Sequence, residues 1–231
     1  MNKQKLLIIG GSSDIGLSLC KKLLDLKKYE IVLHINKNRN LGEINKKCKL
    51  IVADFSRHNH KAILKKFSRD YDIIINLVGY ISNYSFNNFK IKEFHKTINI
   101  NTLLPLLIIR QSLDHMKKKR FGRILNSSSV GVKFGGGENT FLYSLSKHMN
   151  EFIPSYFRKI FKFNVTYNCI RLGVVDTKIH KKINKKNLNN RIKLIPLGRI
   201  AKKEEIASFI VYLISKNDFI CGEVINITGG E

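Results

Sequence analysis

Cysteine is scarce in this sequence. Cys20, Cys48, Cys169 and Cys221 are scattered, with no Cys-x-x-Cys pair and no metal-ligand spacing. That excludes a zinc module or a disulfide framework as the organising principle and reads as reduced, mostly buried thiols of a cytoplasmic protein. No metal site is expected. Long apolar runs are missing as well. None approaches the roughly 18 residues of a membrane span, and the first residues carry neither the apolar core nor the small-residue cleavage site of a signal peptide. No domain boundary or internal repeat interrupts the 231 residues. A single domain with a sizeable core is expected, and the 43% apolar content agrees.

Acidic residues are few: 17 Asp and Glu face 42 Lys and Arg, a formal net charge of +25. Such a balance suits a partner that is nucleic acid, membrane or an acidic protein. Composition gives a plainer account. Lys, Ile and Asn make up 87 of the 231 residues, the bias of an AT-rich genome, and the lysines are spread along the chain. Local clusters occur at 117–120 and 178–186. No nucleic-acid or membrane partner is expected; an acidic protein partner remains open.

What is present has an order. The apolar run at 5–9 stops at Gly10-Gly11-Ser12-Ser13-Asp14-Ile15-Gly16, and an amphipathic pattern follows. Strand, glycine-rich turn and helix bring a pyrophosphate against backbone N–H groups at a helix N-terminus. The Gly-x-Gly-x-x-Gly spacing itself is absent. The run 31–35 ends at Asn36-Lys37, where an acid would hold the 2′-hydroxyl of NAD and a base suits the 2′-phosphate of NADP. Lys37 therefore favours NADP(H) over NAD(H). Further runs at 50–53 and 72–77 lead into Asp54-Phe55 and Val78-Gly79. Runs apolar throughout suit a parallel sheet covered on both faces, so the expected fold class is α/β, a Rossmann-like doubly wound parallel sheet. A buried helix is expected over 98–109, with Asn99 and Asn101 inside it, and asparagine is a poor choice there unless its side chain is used.

Strand five (123–126) delivers Ser127-Ser128-Ser129 to the sheet edge where such folds hold ligands. A glycine-rich loop over 130–140 leads to Tyr143-Ser144-Leu145-Ser146-Lys147. Positions four apart share a helix face, so the phenol and the ammonium sit side by side. The cation is expected to lower the phenol pKa and make it a working acid/base for a carbonyl or alcohol. A serine would polarise the same oxygen. Chance alone supplies about one Tyr-x-x-x-Lys in a chain this rich in lysine, and Tyr212 with Lys216 is a second match, lacking a serine run, that reads as a decoy. The stretch 176–194 reads as a mobile flap over the substrate. A helix (203–213) and a last strand (223–228) close the chain.

In this order the residues resemble the short-chain dehydrogenase/reductase family over essentially the whole chain. The resemblance implies a cofactor turn over Ile9 to Gly16 (Gly10, Ser12, Ser13, Ile15 and Gly16), with Asn36 and Lys37 at the next strand end. It implies an adenine contact at Asp54-Phe55 and a further segment, Asn76-Leu77-Val78-Gly79, of which Asn76, Val78 and Gly79 meet the cofactor. Tyr143 and Lys147 match the catalytic pair, and Asn101, in Ile100-Asn101-Thr102-Leu103-Leu104-Pro105, matches the family's catalytic asparagine. Gly173, Val175 and Thr177 match the segment that holds the nicotinamide end. Residues 1–140 would mainly bind cofactor; 141–231 would supply catalytic helix, flap and closing strand. Four departures stand out. Ile9 replaces a threonine of the turn, Asp14 replaces a glycine there, and Leu172 replaces a proline before Gly173. The serine-to-tyrosine interval is one residue long from Ser129, which leaves Ser128 a rival, although Ser129 precedes the small apolar Val130 as in the family.

The implied chemistry is hydride transfer between nicotinamide and a carbonyl, with Tyr143 protonating the oxygen and Ser129 orienting it. Lys147 would hold the nicotinamide ribose and lower the tyrosine pKa, and Asn101 would support a water relaying protons. Within the family the chain looks most like bacterial 3-oxoacyl-acyl-carrier-protein reductases, as homo-tetramers or homo-dimers. Lys117-Lys118-Lys119-Arg120 resembles their basic stretch for an acidic carrier, although lysines also suit any helix C-terminus. A sugar, polyol or nucleotide-sugar reductase is the second reading, from the Gly135-Gly136-Gly137-Glu138-Asn139 insert. A non-catalytic cofactor-sensing or nucleic-acid-associated protein is the third.

Overall fold

The computed structural model describes residues 3–37, 40–178 and 185–231. The expected apolar runs form a seven-stranded parallel sheet: β1 (Gln4–Ile9), β2 (Tyr29–Ile35), β3 (Lys49–Val52), β4 (Ile73–Asn76), β5 (Gly122–Ser129), β6 (Val165–Leu172) and β7 (Val224–Ile227). Their spatial order is β3-β2-β1-β4-β5-β6-β7. The chain winds outward from β1 to β3, returns to β4 beside β1, then winds the other way. That reversal opens a crevice at the carboxyl ends of β1 and β4, where doubly wound sheets take their ligands.

Both faces of the sheet are covered, so alternate residues of one strand enter different cores. Leu7 and Ile9 of β1 join Val32, Ile74 and Ile124 on one face. Leu6 and Ile8 join Ile31, Leu33, Ile73 and Ile75 on the other. Every one of these strand residues is buried, which explains runs apolar throughout rather than alternating. The helices are α1 (Asp14–Asp25), α2 (Ile44–Lys47), α3 (His60–Leu64), α4 (Ile91–Ile98), α5 (Leu104–Lys119), α6 (Phe141–Glu151), α7 (Tyr156–Ile160), α8 (Lys185–Ile192) and α9 (Lys203–Ser215). α1 packs against α9 over the second core.

Two sequence expectations shift. The helix expected over 98–109 is instead α4 and α5 joined by one widened π-turn, Asn99–Leu103, in which the Leu104 N–H reaches back to the Asn99 carbonyl. Such turns swell a helix locally and recur at functional sites. The expected flap is only partly visible: its residues 179–184 lie outside the described residues, and Lys185–Ile192 is helical. The Tyr212–Lys216 decoy lies on the outer helix, with Tyr212 exposed. No described helix is long and apolar enough to cross a membrane.

Candidate active site

The nucleotide end is built first, at the β1 edge. Ser13 caps α1, its hydroxyl accepting from the Gly16 N–H at 3.1 Å. Gly10 has a left-handed φ of +79°, and a Cβ there would lie 2.9 Å from the Val78 nitrogen. Only glycine fits, and the turn stays open to a bulky anionic group at the helix N-terminus. Asp14, where the resemblance expects glycine, turns aside: its carboxylate accepts from the Lys178 N–H at 2.6 Å. The donor set fits a dinucleotide pyrophosphate.

His34, which the sequence reading passed over, ties this end together. Its Nε2–H donates to the Ala53 carbonyl at 2.8 Å, and its Nδ1 accepts from the Gly10 N–H at 3.4 Å. The ring stacks on Phe55 with centroids 4.0 Å apart. Burial pulls its pKa down to about 4, so it is neutral and can accept through Nδ1. It thus joins the turn to the Asp54-Phe55 segment and supplies a tie that Ile9, lacking a threonine hydroxyl, does not. A polar residue inside an aliphatic strand was the available signal. Asn99 does related work, its Nδ2 donating to the Phe55 carbonyl at 2.6 Å. The Asp54 carboxylate accepts from the Ser56 N–H and hydroxyl. Burial opposes its ionisation, but those bonds with the Arg57 and Lys37 cations hold it below the usual carboxylate range. Asn36 and Lys37 are both exposed at the end of β2.

The catalytic end is centred on α6. Lys147 is 2% exposed, and its ammonium donates to the Val78 carbonyl at 2.8 Å, the Ser127 carbonyl at 3.1 Å and the Ser127 hydroxyl at 3.2 Å. Burial pulls its pKa down to about 8. Gly79 lies alongside, its Cβ position 3.6 Å from the Tyr143 ring and 3.8 Å from the Lys147 side chain. Tyr143 and Lys147 do share a face, with the ammonium 5.8 Å from the ring centroid.

The expected lowering of the Tyr143 pKa is corrected. Burial pushes the phenol up to about 12, opposed only by a hydrogen bond to Ser129. The physical reason is direction: the Lys147 ammonium is spent on two carbonyls and a hydroxyl rather than aimed at the phenol oxygen. A protonated phenol is the form that donates to a developing alkoxide.

The two candidate serines point in different directions. Ser128 points away, donating to Glu151 at 2.7 Å. Ser129 is the serine that bonds Tyr143, and its oxygen also accepts from the Gly131 N–H at 3.3 Å.

Asn101 is fully buried and faces inward, as its place in the helix required. Its Oδ1 accepts from the Tyr80 N–H at 2.7 Å, and its Nδ2 donates to the Tyr80 carbonyl at 2.9 Å and to the Ser146 hydroxyl at 2.8 Å. The Asn101 carbonyl accepts from Asn150 at 3.1 Å. Asn76 is buried below, donating to Asn126 at 3.1 Å and accepting from the Val78 N–H at 3.3 Å.

Past β6, Gly173 donates to the Ile227 carbonyl, Val175 pairs with Ala201, and the Thr177 hydroxyl donates to the Val175 carbonyl at 3.3 Å. That segment is held in place although Leu172 stands where the resemblance expects proline. Arg171 makes two 2.7 Å bonds to the two oxygens of Glu151 at the end of α6. This pair, 20 residues apart, gave no signal in the sequence. Of the basic cluster, Lys119 pairs with buried Asp72 and Lys117 with Asp114. Among the described residues no cluster of His, Cys, Asp and Glu could hold a metal.

The structure therefore brings Asn101, Ser129, Tyr143 and Lys147 around Gly79, next to the Gly10–Gly16 turn. A family model described as enoyl-(acyl carrier protein) reductase matches residues 42–231. The chain is 27% identical over 237 residues to the 3-oxoacyl-(acyl-carrier-protein) reductase FabG of Aquifex aeolicus (strain VF5), covering 97% of this chain and 95% of that one. Its fold matches a 3-oxoacyl-(acyl-carrier-protein) reductase of Agrobacterium tumefaciens with NADP bound at a TM-score of 0.87, 18% identical over 99% of this chain and 94% of that one. It also matches an Agrobacterium tumefaciens protein described as a 2-deoxy-D-gluconate 3-dehydrogenase with bound NADP at 0.85, 21% identical over 100% and 96%.

Proposed function

The chain belongs to the short-chain dehydrogenase/reductase family and is an NAD(P)-dependent oxidoreductase; from that premise we propose that it reduces the ketone of a 3-oxoacyl thioester, with NADP(H) preferred. One observation carries the reading: a buried lysine and asparagine converge with a half-buried tyrosine and serine beside a glycine turn fitted to a dinucleotide. The relatives named for 3-oxoacyl-(acyl-carrier-protein) reduction support the substrate class. Lys37, exposed at the end of β2 and near Asp54, supports the 2′-phosphate.

When bound, the nicotinamide supplies the hydride that reduces the carbonyl carbon. The protein's own residues manage the oxygen. Ser129 donates to the carbonyl oxygen and orients it, and Tyr143, kept protonated by burial, passes it a proton as charge develops there. Lys147, anchored on Val78 and Ser127, would turn an N–H donor to the nicotinamide ribose. Asn101 fixes the Tyr80 backbone, next to Gly79 and the Tyr143–Lys147 pair.

The test is oxidation of NADPH and NADH by the purified protein with an acetoacetyl thioester, beside a panel of sugar ketones. Thioester-dependent oxidation, faster with NADPH and lost in Tyr143→Phe, supports the reading. Turnover on sugar ketones alone moves the substrate to carbohydrates. No turnover on any carbonyl, with cofactor bound, sinks the reductase assignment.

A further inference from the structure

Two cysteines that look unrelated in the sequence meet in the fold. Cys20 lies mid-way along α1 with its side chain fully buried. Cys48 ends α2, immediately before β3, and is partly exposed. The two are 28 positions apart, and their sulfurs are 3.4 Å apart, one thiol hydrogen-bonding the other. A buried free cysteine usually behaves as a small inert hydrophobe; a second sulfur at this distance, reachable from solvent, gives it a reaction partner.

We propose that Cys20 and Cys48 form a reversible modification site, a dithiol that hydroperoxides convert to an intramolecular disulfide. Cys48 is the attacking sulfur. It is the partly exposed member, and the hydrogen bond from Cys20 favours its thiolate, whereas Cys20 is pushed well above the ordinary thiol range by that same bond and by burial. The Cys48 thiolate attacks one oxygen of hydrogen peroxide. The O–O bond breaks, the departing oxygen takes a proton and leaves as water, and Cys48 becomes a sulfenic acid. The Cys20 sulfur then displaces the hydroxyl: the S–S bond forms, the S–O bond breaks, and the Cys20 proton leaves with the hydroxyl as a second water. The two thiols lose two electrons and the peroxide accepts them.

The movement required is small. Closing from 3.4 Å to a bond of about 2.05 Å asks a shift of roughly 1.4 Å. Cys48 sits where the four-residue α2 gives way to β3, a place able to supply it. The bridge would enclose β2 with Asn36 and Lys37, so the modified loop is the one that carries the proposed 2′-phosphate contact.

The test uses the intact protein, treated with hydrogen peroxide, alkylated without reductant and digested for mass spectrometry. The expected product is one cross-linked peptide pair, Cys20 with Cys48, lighter by two hydrogens, restored by dithiothreitol, with Cys169 and Cys221 still alkylated. Cys48→Ser, at the partly exposed member of the pair, removes it, while Cys221→Ser leaves it in place. Oxidised wild type should also unfold at a higher denaturant concentration than the reduced form, because a closed loop restricts the unfolded chain. Sulfinic acid on Cys48 with Cys20 still alkylated, or no change at either residue, overturns the proposal.

Discussion

The two ends of the crevice are built from different materials. At the nucleotide end, the ties between the turn and its buried surroundings are neutral: an imidazole between Gly10 and Ala53, an asparagine on the Phe55 carbonyl, a serine cap, and glycine where a Cβ has no room, with the charged Asp14 and Asp54 carboxylates confined to the rim. At the catalytic end the ties are charged: a buried ammonium on two carbonyls, and a guanidinium paired with a carboxylate at the end of α6. Neutral ties position a ligand over a wide pH range. Buried charges cost desolvation and titrate, so the catalytic end is where stability and rate depend on pH.

The contrast sets the order of expected effects. Glu151→Ala leaves Arg171 without its carboxylate between β6 and α6, and losing a half-buried, doubly hydrogen-bonded charge pair costs about 1.5–3 kcal/mol. Thermal unfolding should show it as the largest loss in the set. The same pair fixes a pH dependence. Burial opposes ionisation of Glu151, but the bonds from Arg171 and Ser128 win and depress its folded pKa below the ordinary 4.5. Its stabilisation is therefore present above the unfolded pKa and lost as pH falls through the folded one, a slope that Glu151→Gln should flatten.

Lys147 gives a slope of the same sign in a higher pH window, set by burial rather than by a partner. Its folded pKa, near 8, is below the 10.5 of the unfolded chain. The unfolded state then binds more protons between those values, and stability rises with pH across that window. The full shift corresponds to about 3 kcal/mol, so Lys147→Met should narrow the stability difference between pH 7 and pH 10. Lys37→Ala should lower the preference for NADPH over NADH by about tenfold, the scale of a hydrogen bond to a charged group; equal loss with both cofactors would remove Lys37 from the 2′-phosphate. The smallest effect belongs to His34→Gln, which retains a donor and an acceptor. Cofactor affinity measured by titration should weaken by about 2–10-fold, the range of one ordinary hydrogen bond, with little change in its pH dependence.

Much of the sheet was legible because the central strands β1, β2 and β4 are buried on both faces and leave nearly unbroken apolar runs. The Gly10–Gly16 turn and the Tyr143–Lys147 spacing were legible because both are local. What stayed hidden was direction and long-range pairing. Spacing put Lys147 beside Tyr143 but could not show that its ammonium turns to Val78 and Ser127, so the sign of the phenol shift was misread. The run Ser127–Ser129 left two candidates, and their different partners, Glu151 for Ser128 and Tyr143 for Ser129, became visible only in the fold. His34, Arg171 and the Cys20–Cys48 contact depend on residues brought together from 19 to 28 positions away, and no periodicity carries that information. Residues 117–120 show the converse: a cluster open to reading as a carrier surface or as a helix end has two of its cations paired with carboxylates of the fold.

The most direct test of the contrast is kcat/KM for thioester reduction against pH, since that ratio reports groups of the free enzyme. Tyr143, near 12, stays protonated throughout the accessible range, while Lys147, near 8, does not. The account predicts a fall in kcat/KM as pH rises through about 8, following loss of the Lys147 charge. A flat profile from about pH 7 to pH 10, in a range where the ammonium must titrate, would contradict the assignment of a buried charge to the centre of the chemistry.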